Sequence, residues 1–176
     1  MTRTAITLAS ALLAASPFIQ AQTGTRPPAQ APPAKTAGAK AAGPNATLPP
    51  IKRFPTPKAV VDEHLDAINH CDWTRLMAQY PNDVEFFLPG GKVVKGREDV
   101  AELFRGFVKP AKDGGLCGLT FVPEHVFTVN GTISIAWVGN ADFMKEPYRG
   151  ADAYITKDGL MQAQVTTFDG TQLKMK

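Results

Sequence analysis

Between Leu119 and Phe168 the chain carries four long apolar-polar runs joined by tight-turn signals, and that block limits what can be built around it. Leu119 to Val129 and Ile133 to Ala141 flank Asn130-Gly131, a pair suited to a two-residue hairpin turn. Gly150 to Thr156 and Leu160 to Phe168 flank Lys157-Asp158-Gly159 in the same way. Pro123 predicts a disturbance in the first strand, because proline cannot donate to a ladder. Upstream the pattern is helical. Thr56-Pro57 offers a cap and a first-turn proline, and Val61, Leu65 and Ile68 at i, i+4 and i+7 carry a helix to about His70. Asp72 caps a short helix bearing Trp73, Leu76, Met77 and Tyr80, which Pro81-Asn82 ends. Val84 to Leu88 turns at Gly90-Gly91 into Lys92 to Lys95, and Gly96 leads into a helix striped by Val100, Leu103, Phe104 and Phe107. Helices early and strands late predict an α+β domain over 57–172, with an antiparallel sheet that can curl around one long helix and leave a cone open at one end.

The sequence before that domain has a different physical character. Met1 to Ala21 has a positive start at Arg3, an apolar stretch of small residues from Ala5 to Ala15, and Ile19-Gln20-Ala21 before a cleavage point, the pattern of a secretory signal peptide. Gln22 to Lys58 holds nine Pro and eight Ala, six Lys/Arg and no acid. With no hydrophobic period it cannot offset its ordering entropy, so residues 22–56 are expected to form a basic, disordered tether. Its charge suits either solubility or a weak contact with an anionic envelope surface. Residues 59–172 carry sixteen Asp/Glu against ten Lys/Arg. The folded body is therefore acidic, which argues against nucleic acid as a partner. The expected location is periplasmic or secreted.

Several chemistries find no motif. No apolar run approaches the roughly 20 residues of a membrane-spanning helix. No phosphate-cradling glycine loop, nucleophile elbow, zinc-binding HExxH helix or cysteine-histidine cluster is present, so neither a metal nor a cofactor is expected. Cys71 and Cys117, 46 residues apart, are read either as a disulfide or as two buried thiols.

At Val60 to Asp72 (VVDEHLDAINHCD), followed by Tyr80 to Phe86 (YPNDVEF), the chain resembles the nuclear transport factor 2-like superfamily, nearest its SnoaL-like and ketosteroid-isomerase-like branches. Gly96-Arg97-Glu98-Asp99-Val100 and Gly150-Ala151-Asp152-Ala153-Tyr154 resemble its third-helix start and penultimate hairpin. The resemblance implies a curved sheet, three helices, a hydrophobic pocket inside the cone and frequent dimers through the outer sheet face. It includes isomerases, cyclases, dehydratases and pure binding modules. Its steroid isomerases place a carboxylate base just before a proline on the first strand, where Leu88 precedes Pro89 here. Their helical tyrosine is matched by His64 and their protonated aspartate by Asp152. The base is absent, and a steroid-isomerase mechanism is not expected.

Strand alternation on that alignment turns Phe86, Leu88, Ile135, Trp137, Gly139, Ala141, Asp152, Tyr154, Gln162, Gln164, Thr166 and Phe168 inward. An apolar wall with a few polar groups is the usual make-up of a small-molecule site. The candidate ligand-pocket residues are Phe86, Leu88, Trp137, Gln162, Gln164, Thr166 and Phe168, and the candidate acid-base groups are Asp152, His64 and Tyr154. Each acid-base group also has a plain structural reading: Asp152 paired with Arg149, His64 as a rim residue between Glu63 and Asp66, Tyr154 as core. Three functions follow. The favoured one is a module binding a small apolar or amphipathic molecule. The second is a proton-transfer enzyme (isomerase, cyclase or dehydratase) using Asp152 with His64 or Tyr154. The third is a dimeric scaffold, for which an outward Phe87 would suit a homodimer contact.

Overall fold

A computed structural model describes residues 46–176. The signal-peptide reading of 1–21 and the tether reading of 22–45 fall outside the described residues. Three helices come first with a strand pair among them: α1 (Pro57–Asn69), α2 (Trp73–Ala78), β1 (Glu85–Phe87), β2 (Val93–Lys95) and α3 (Arg97–Phe107). The meander follows as β3 (Thr120–Val129), β4 (Thr132–Asn140), β5 (Tyr148–Lys157) and β6 (Leu160–Thr167). The helix starts are chemically explicit. Thr56 accepts from Ala59 N at 3.1 Å and Asp72 from Arg75 N at 3.0 Å, each satisfying an otherwise orphaned amide.

All six strands form one curved, unclosed sheet in the order β2-β1-β6-β5-β4-β3. The expected purely antiparallel sheet needs one correction: β1 runs parallel to β6, with Phe86 opposite Gln164, so the sheet is mixed. The physical reason is connectivity. β2, α3 and β3 to β5 intervene between β1 and β6, so no short turn forces them antiparallel.

Two bulges interrupt the alternation. In β3, Pro123 pairs with Trp137 and His125 with Ala136, leaving Glu124 as an extra residue at the site where proline removes a donor. In β6, Thr156 pairs with Met161 and Ile155 with Ala163, so Gln162 is the extra residue.

The helices pack into the concave face of the sheet. Val60, Leu76, Met77, Val84, Val100 and Phe104 are buried with Tyr154 and Met161 from the strands. Trp73 donates its indole N–H to Ala101 O at 3.1 Å, locking α2 to α3. Cys71 and Cys117 form a disulfide that ties the end of α1 to the loop after α3.

Composition assigned residues 46–56 to the tether, yet they are fastened to the domain. Lys52 N donates to Ala78 O at 2.7 Å and Phe54 N to Gly159 O at 2.9 Å. Arg97 and Arg105 of α3 donate to Pro49 O and Ala46 O at 2.6 and 2.8 Å, and Leu48 and Phe54 rest on the core. Gly159 permits this crossing, since a Cβ there would lie 2.4 Å from Phe54 O. The arm has no period of its own because the domain supplies its hydrogen bonds. The chain end is also incorporated past residue 172: Lys145 N donates to Lys174 O and Lys176 N to Phe143 O.

Candidate functional site

Inside the cone lies a cavity of about 250 Å³. Leu65 and Ile68 of α1, Phe104 and Phe107 of α3, and Leu116 and Leu119 from the disulfide-tied loop make much of its wall. Of the residues singled out from sequence, Phe86, Leu88, Trp137, Gln164, Thr166 and Phe168 line it, together with His64, Asp152 and Tyr154. Gln162 does not. As the bulged residue of β6 it falls out of the two-residue alternation, and its amide donates to Asp83 O at 3.2 Å on the surface. Ile135, Gly139 and Ala141 are likewise not part of the wall.

The polar groups fall into two clusters set by register. On β5 and β6, Asp152 sits opposite Thr166 and Tyr154 opposite Gln164, so four inward side chains form one patch. The Tyr154 hydroxyl donates to Asp152 Oδ2 at 2.8 Å. Asp152 is 9% exposed, and its Oδ1 is buried with no hydrogen-bond partner. Burial pushes the Asp152 carboxyl above the usual carboxylate range. Thr166, Tyr154 and the Trp137 indole N–H act in the opposite direction by favouring the ionised form. Neither Thr166 nor Trp137 closes a hydrogen bond onto Oδ1, and the Trp137 N–H is itself unpaired. Arg149, read from the sequence as a partner of Asp152, pairs with Glu124 instead. Trp137 reaches its place by lying across Gly150 on the next strand, where a Cβ would stand 2.3 Å from the indole ring.

The second cluster is buried more deeply. His64 is not the rim residue that its acidic neighbours suggested: Glu63 and Asp66 face outward onto Arg75, while His64 turns inward and is 2% exposed. Its ring lies against Tyr154, with centroids 5.4 Å apart, and edge-on to Phe104. Its Nδ1 is 3.3 Å from the Tyr80 hydroxyl, which donates to Gln164 Oε1 at 3.0 Å. An imidazolium there would lose its hydration, so burial pushes the His64 pKa down to about 3. Burial, and the negative Asp152 nearby, push the Tyr80 and Tyr154 hydroxyls well above their ordinary value. His64 bonds to Tyr80 rather than to Asp152, so the two candidate acid-base groups do not form a pair.

Sequence reasoning placed Tyr80 only in an apolar stripe and missed its role. The signal available was a hydroxyl just before Pro81, at a helix end where the chain turns into the core. No group of three or more His, Cys, Asp or Glu among the described residues is arranged to hold a metal.

A cone of three helices and a curved sheet around an apolar chamber with inward polar groups defines a class of small-pocket α+β domains. Residues 61–164 match the SnoaL-like domain family, and the chain belongs to that family. No curated protein sequence matches the chain. Among solved structures it is similar to a nuclear transport factor 2-like protein of unknown function from Cytophaga hutchinsonii. That likeness has a TM-score of 0.53 at 15% identity and covers 69% of this chain and 96% of the other. The epoxide hydrolase/cyclase-like enzyme SalBIII, with a role in pyran ring formation in the polyether salinomycin, superposes with a TM-score of 0.55 at 15% identity, over 68% and 95% of the two chains. An LEH-like epoxide hydrolase of M. tuberculosis gives a TM-score of 0.52 at 15% identity, over 65% and 83%. At such identities the likeness establishes the fold.

Proposed function

We propose that the chain binds a small, mainly apolar molecule in the cone, with a polar end of that molecule meeting Asp152. The observation that carries this reading is the unpaired, buried Asp152 Oδ1 in an otherwise apolar cavity. A buried polar atom without a partner costs about 1–3 kcal/mol, and a ligand donor would remove that cost. At about 250 Å³ the cavity exceeds the roughly 150 Å³ that suffices for benzene. Of the two tryptophans, Trp137 lines the cavity and Trp73 is held against Ala101, so fluorescence reports the site through Trp137. Titrating the full chain with neutral probes from benzene to naphthalene size should give saturable changes that weaken in Asp152→Leu. No saturable response across the panel overturns the reading.

A second reading, a proton-transfer enzyme, is favoured by the 2.8 Å contact between the Tyr154 hydroxyl and Asp152. A carboxyl raised by burial and held by one donor can serve as general acid or base. Leu88 lines the cavity at the place where steroid isomerases carry their base, so Asp152 would act alone. Turnover lost in Asp152→Asn with probe binding retained supports this reading; turnover that survives the substitution removes it.

Two further proposals concern context. The Cys71–Cys117 disulfide supports an exported, oxidising location, tested by fractionating cells that make the full chain. On the outer sheet face, register aligns Val93, Phe87, Val165, Ala153, Ser134 and Phe127 across the six strands, with Phe127 62% exposed. That row supports a homodimer. Sedimentation should show a dimer that Phe127→Glu with Val165→Glu dissociates, and a monomeric parent refutes it.

A further inference from the structure

Resting on the small-molecule reading, we infer that Tyr80 is a positioning residue which fixes His64 in its Nδ1–H form, so that Nε2 faces the cavity as an acceptor for a hydroxyl or N–H of the ligand. The argument is one of proton count. A tyrosine hydroxyl has one proton to give, and Tyr80 gives it to Gln164 Oε1 at 3.0 Å. The contact of 3.3 Å to His64 Nδ1 can then be a hydrogen bond only if Nδ1 carries the proton and the Tyr80 oxygen accepts it. A neutral imidazole holds one N–H, so Nε2 is left with a lone pair. His64 lines the cavity, and among the described residues its Nε2 has no protein partner and is not one of the sealed polar atoms.

The surroundings keep that arrangement in place. Tyr154, Phe104 and Tyr80 hold the ring on three sides. Gln164 also lines the cavity, and with its oxygen committed to Tyr80 its amide N–H group is the part left for a ligand. The pocket thus offers an acceptor from helix α1 beside a donor from strand β6. A neutral alcohol, phenol or amide satisfies both, since each can donate and accept. An ether satisfies only the donor, and a hydrocarbon neither. The ligand class is therefore a small apolar molecule that carries, beside the donor that meets Asp152, a neutral group able both to donate and to accept.

The isomers 2-phenylethanol and benzyl methyl ether share one formula and a phenyl ring, but only the alcohol can donate, and both can be used with the intact chain. In ¹⁵N spectra, with His64 assigned through His64→Gln, the free protein should show protonated Nδ1 and bare Nε2. The alcohol should shift the Nε2 resonance and bind about tenfold tighter than the ether, which should leave Nε2 unmoved. Tyr80→Phe should yield mixed tautomers and reduce the preference for the alcohol to about threefold or less. An Nε2–H tautomer in the free protein overturns the inference whether or not Tyr80→Phe folds. Alcohol binding that leaves Nε2 unmoved overturns it while the small-molecule reading stands. If neither isomer binds, the ligand-selecting role fails together with the pocket reading, and the tautomer spectrum shows separately whether Tyr80 sets the ring.

Discussion

The two polar clusters of the cavity are built from the same materials and left in opposite states. In the Tyr80–His64–Gln164 trio the tyrosine is engaged on both sides, and the imidazole is held away from water. In the Asp152–Tyr154 pair one carboxylate oxygen is satisfied, while the other, with the indole N–H of Trp137, has no partner. A satisfied buried network rigidifies a core, and a half-satisfied one retains a cost that something else must remove. Within one pocket the trio has its tyrosine fixed on both sides and offers a ligand only His64 Nε2 and the Gln164 amide N–H, whereas the pair leaves a sealed carboxylate oxygen unpaired. Hydrogen-bond accounting separates them where burial does not.

The largest test of that division is acid. The His64 pKa is lowered from 6.5 to about 3, so its contribution to stability is present above pH 6.5 and lost as pH falls towards 3. A tenfold change in proton affinity is worth about 1.4 kcal/mol, so the loss amounts to several kcal/mol. Denaturant unfolding of His64→Gln should show a flatter dependence over that window, and an unchanged slope would deny that the fold holds His64 buried and neutral. Next in size is Gly150→Ala, which sets a Cβ against the Trp137 ring and Thr167 O. It should cost about 2–3 kcal/mol and shift Trp137 fluorescence, disturbing the Asp152 side alone. Tyr80→Phe strikes the other side: His64 and Gln164 each lose a partner, for about 2 kcal/mol by chemical unfolding.

The smallest effect has the opposite sign. Burial raises the Asp152 pKa, so the folded state favours the protonated form, and stability attributable to this residue declines as pH rises through that raised value. Asp152→Asn should therefore stabilise the protein by about 1 kcal/mol at neutral pH, with the advantage vanishing below the ordinary carboxylate range. Substitution at the pair stabilises and at the trio destabilises. Equal signs would erase the distinction.

What the sequence made legible follows from where its periods stay intact. Asp152 and Tyr154 share a face because nothing interrupts β5 between them, and the same holds for Gln164 and Thr166 on β6. Alternation failed two residues earlier, at Gln162, since a bulge adds one residue to one strand and leaves no mark in the pattern. His64 was found through the family resemblance rather than through its neighbours. Acids on either side suggested a solvated face, yet at 3.6 residues per turn Glu63 and Asp66 can look outward while His64 looks in. Tyr80 was hidden because an aromatic in an apolar stripe reads as core, and its hydroxyl acquires meaning only once Gln164 arrives from 84 residues away. The arm at 46–56 misled for a related reason: its hydrogen bonds end on Ala78, Arg97, Arg105 and Gly159, which no local composition reveals.

The Cys71–Cys117 bond closes a covalent ring that contains α2, β1, β2 and α3 and leaves the four-stranded meander outside it. A protease nick at the exposed Gly90-Gly91 turn would therefore be silent on a non-reducing gel, with the fragments parting only once a thiol reagent is added. Heat or denaturant that melts the meander would still leave the helical half tied as a loop, shortening the search it must make on refolding.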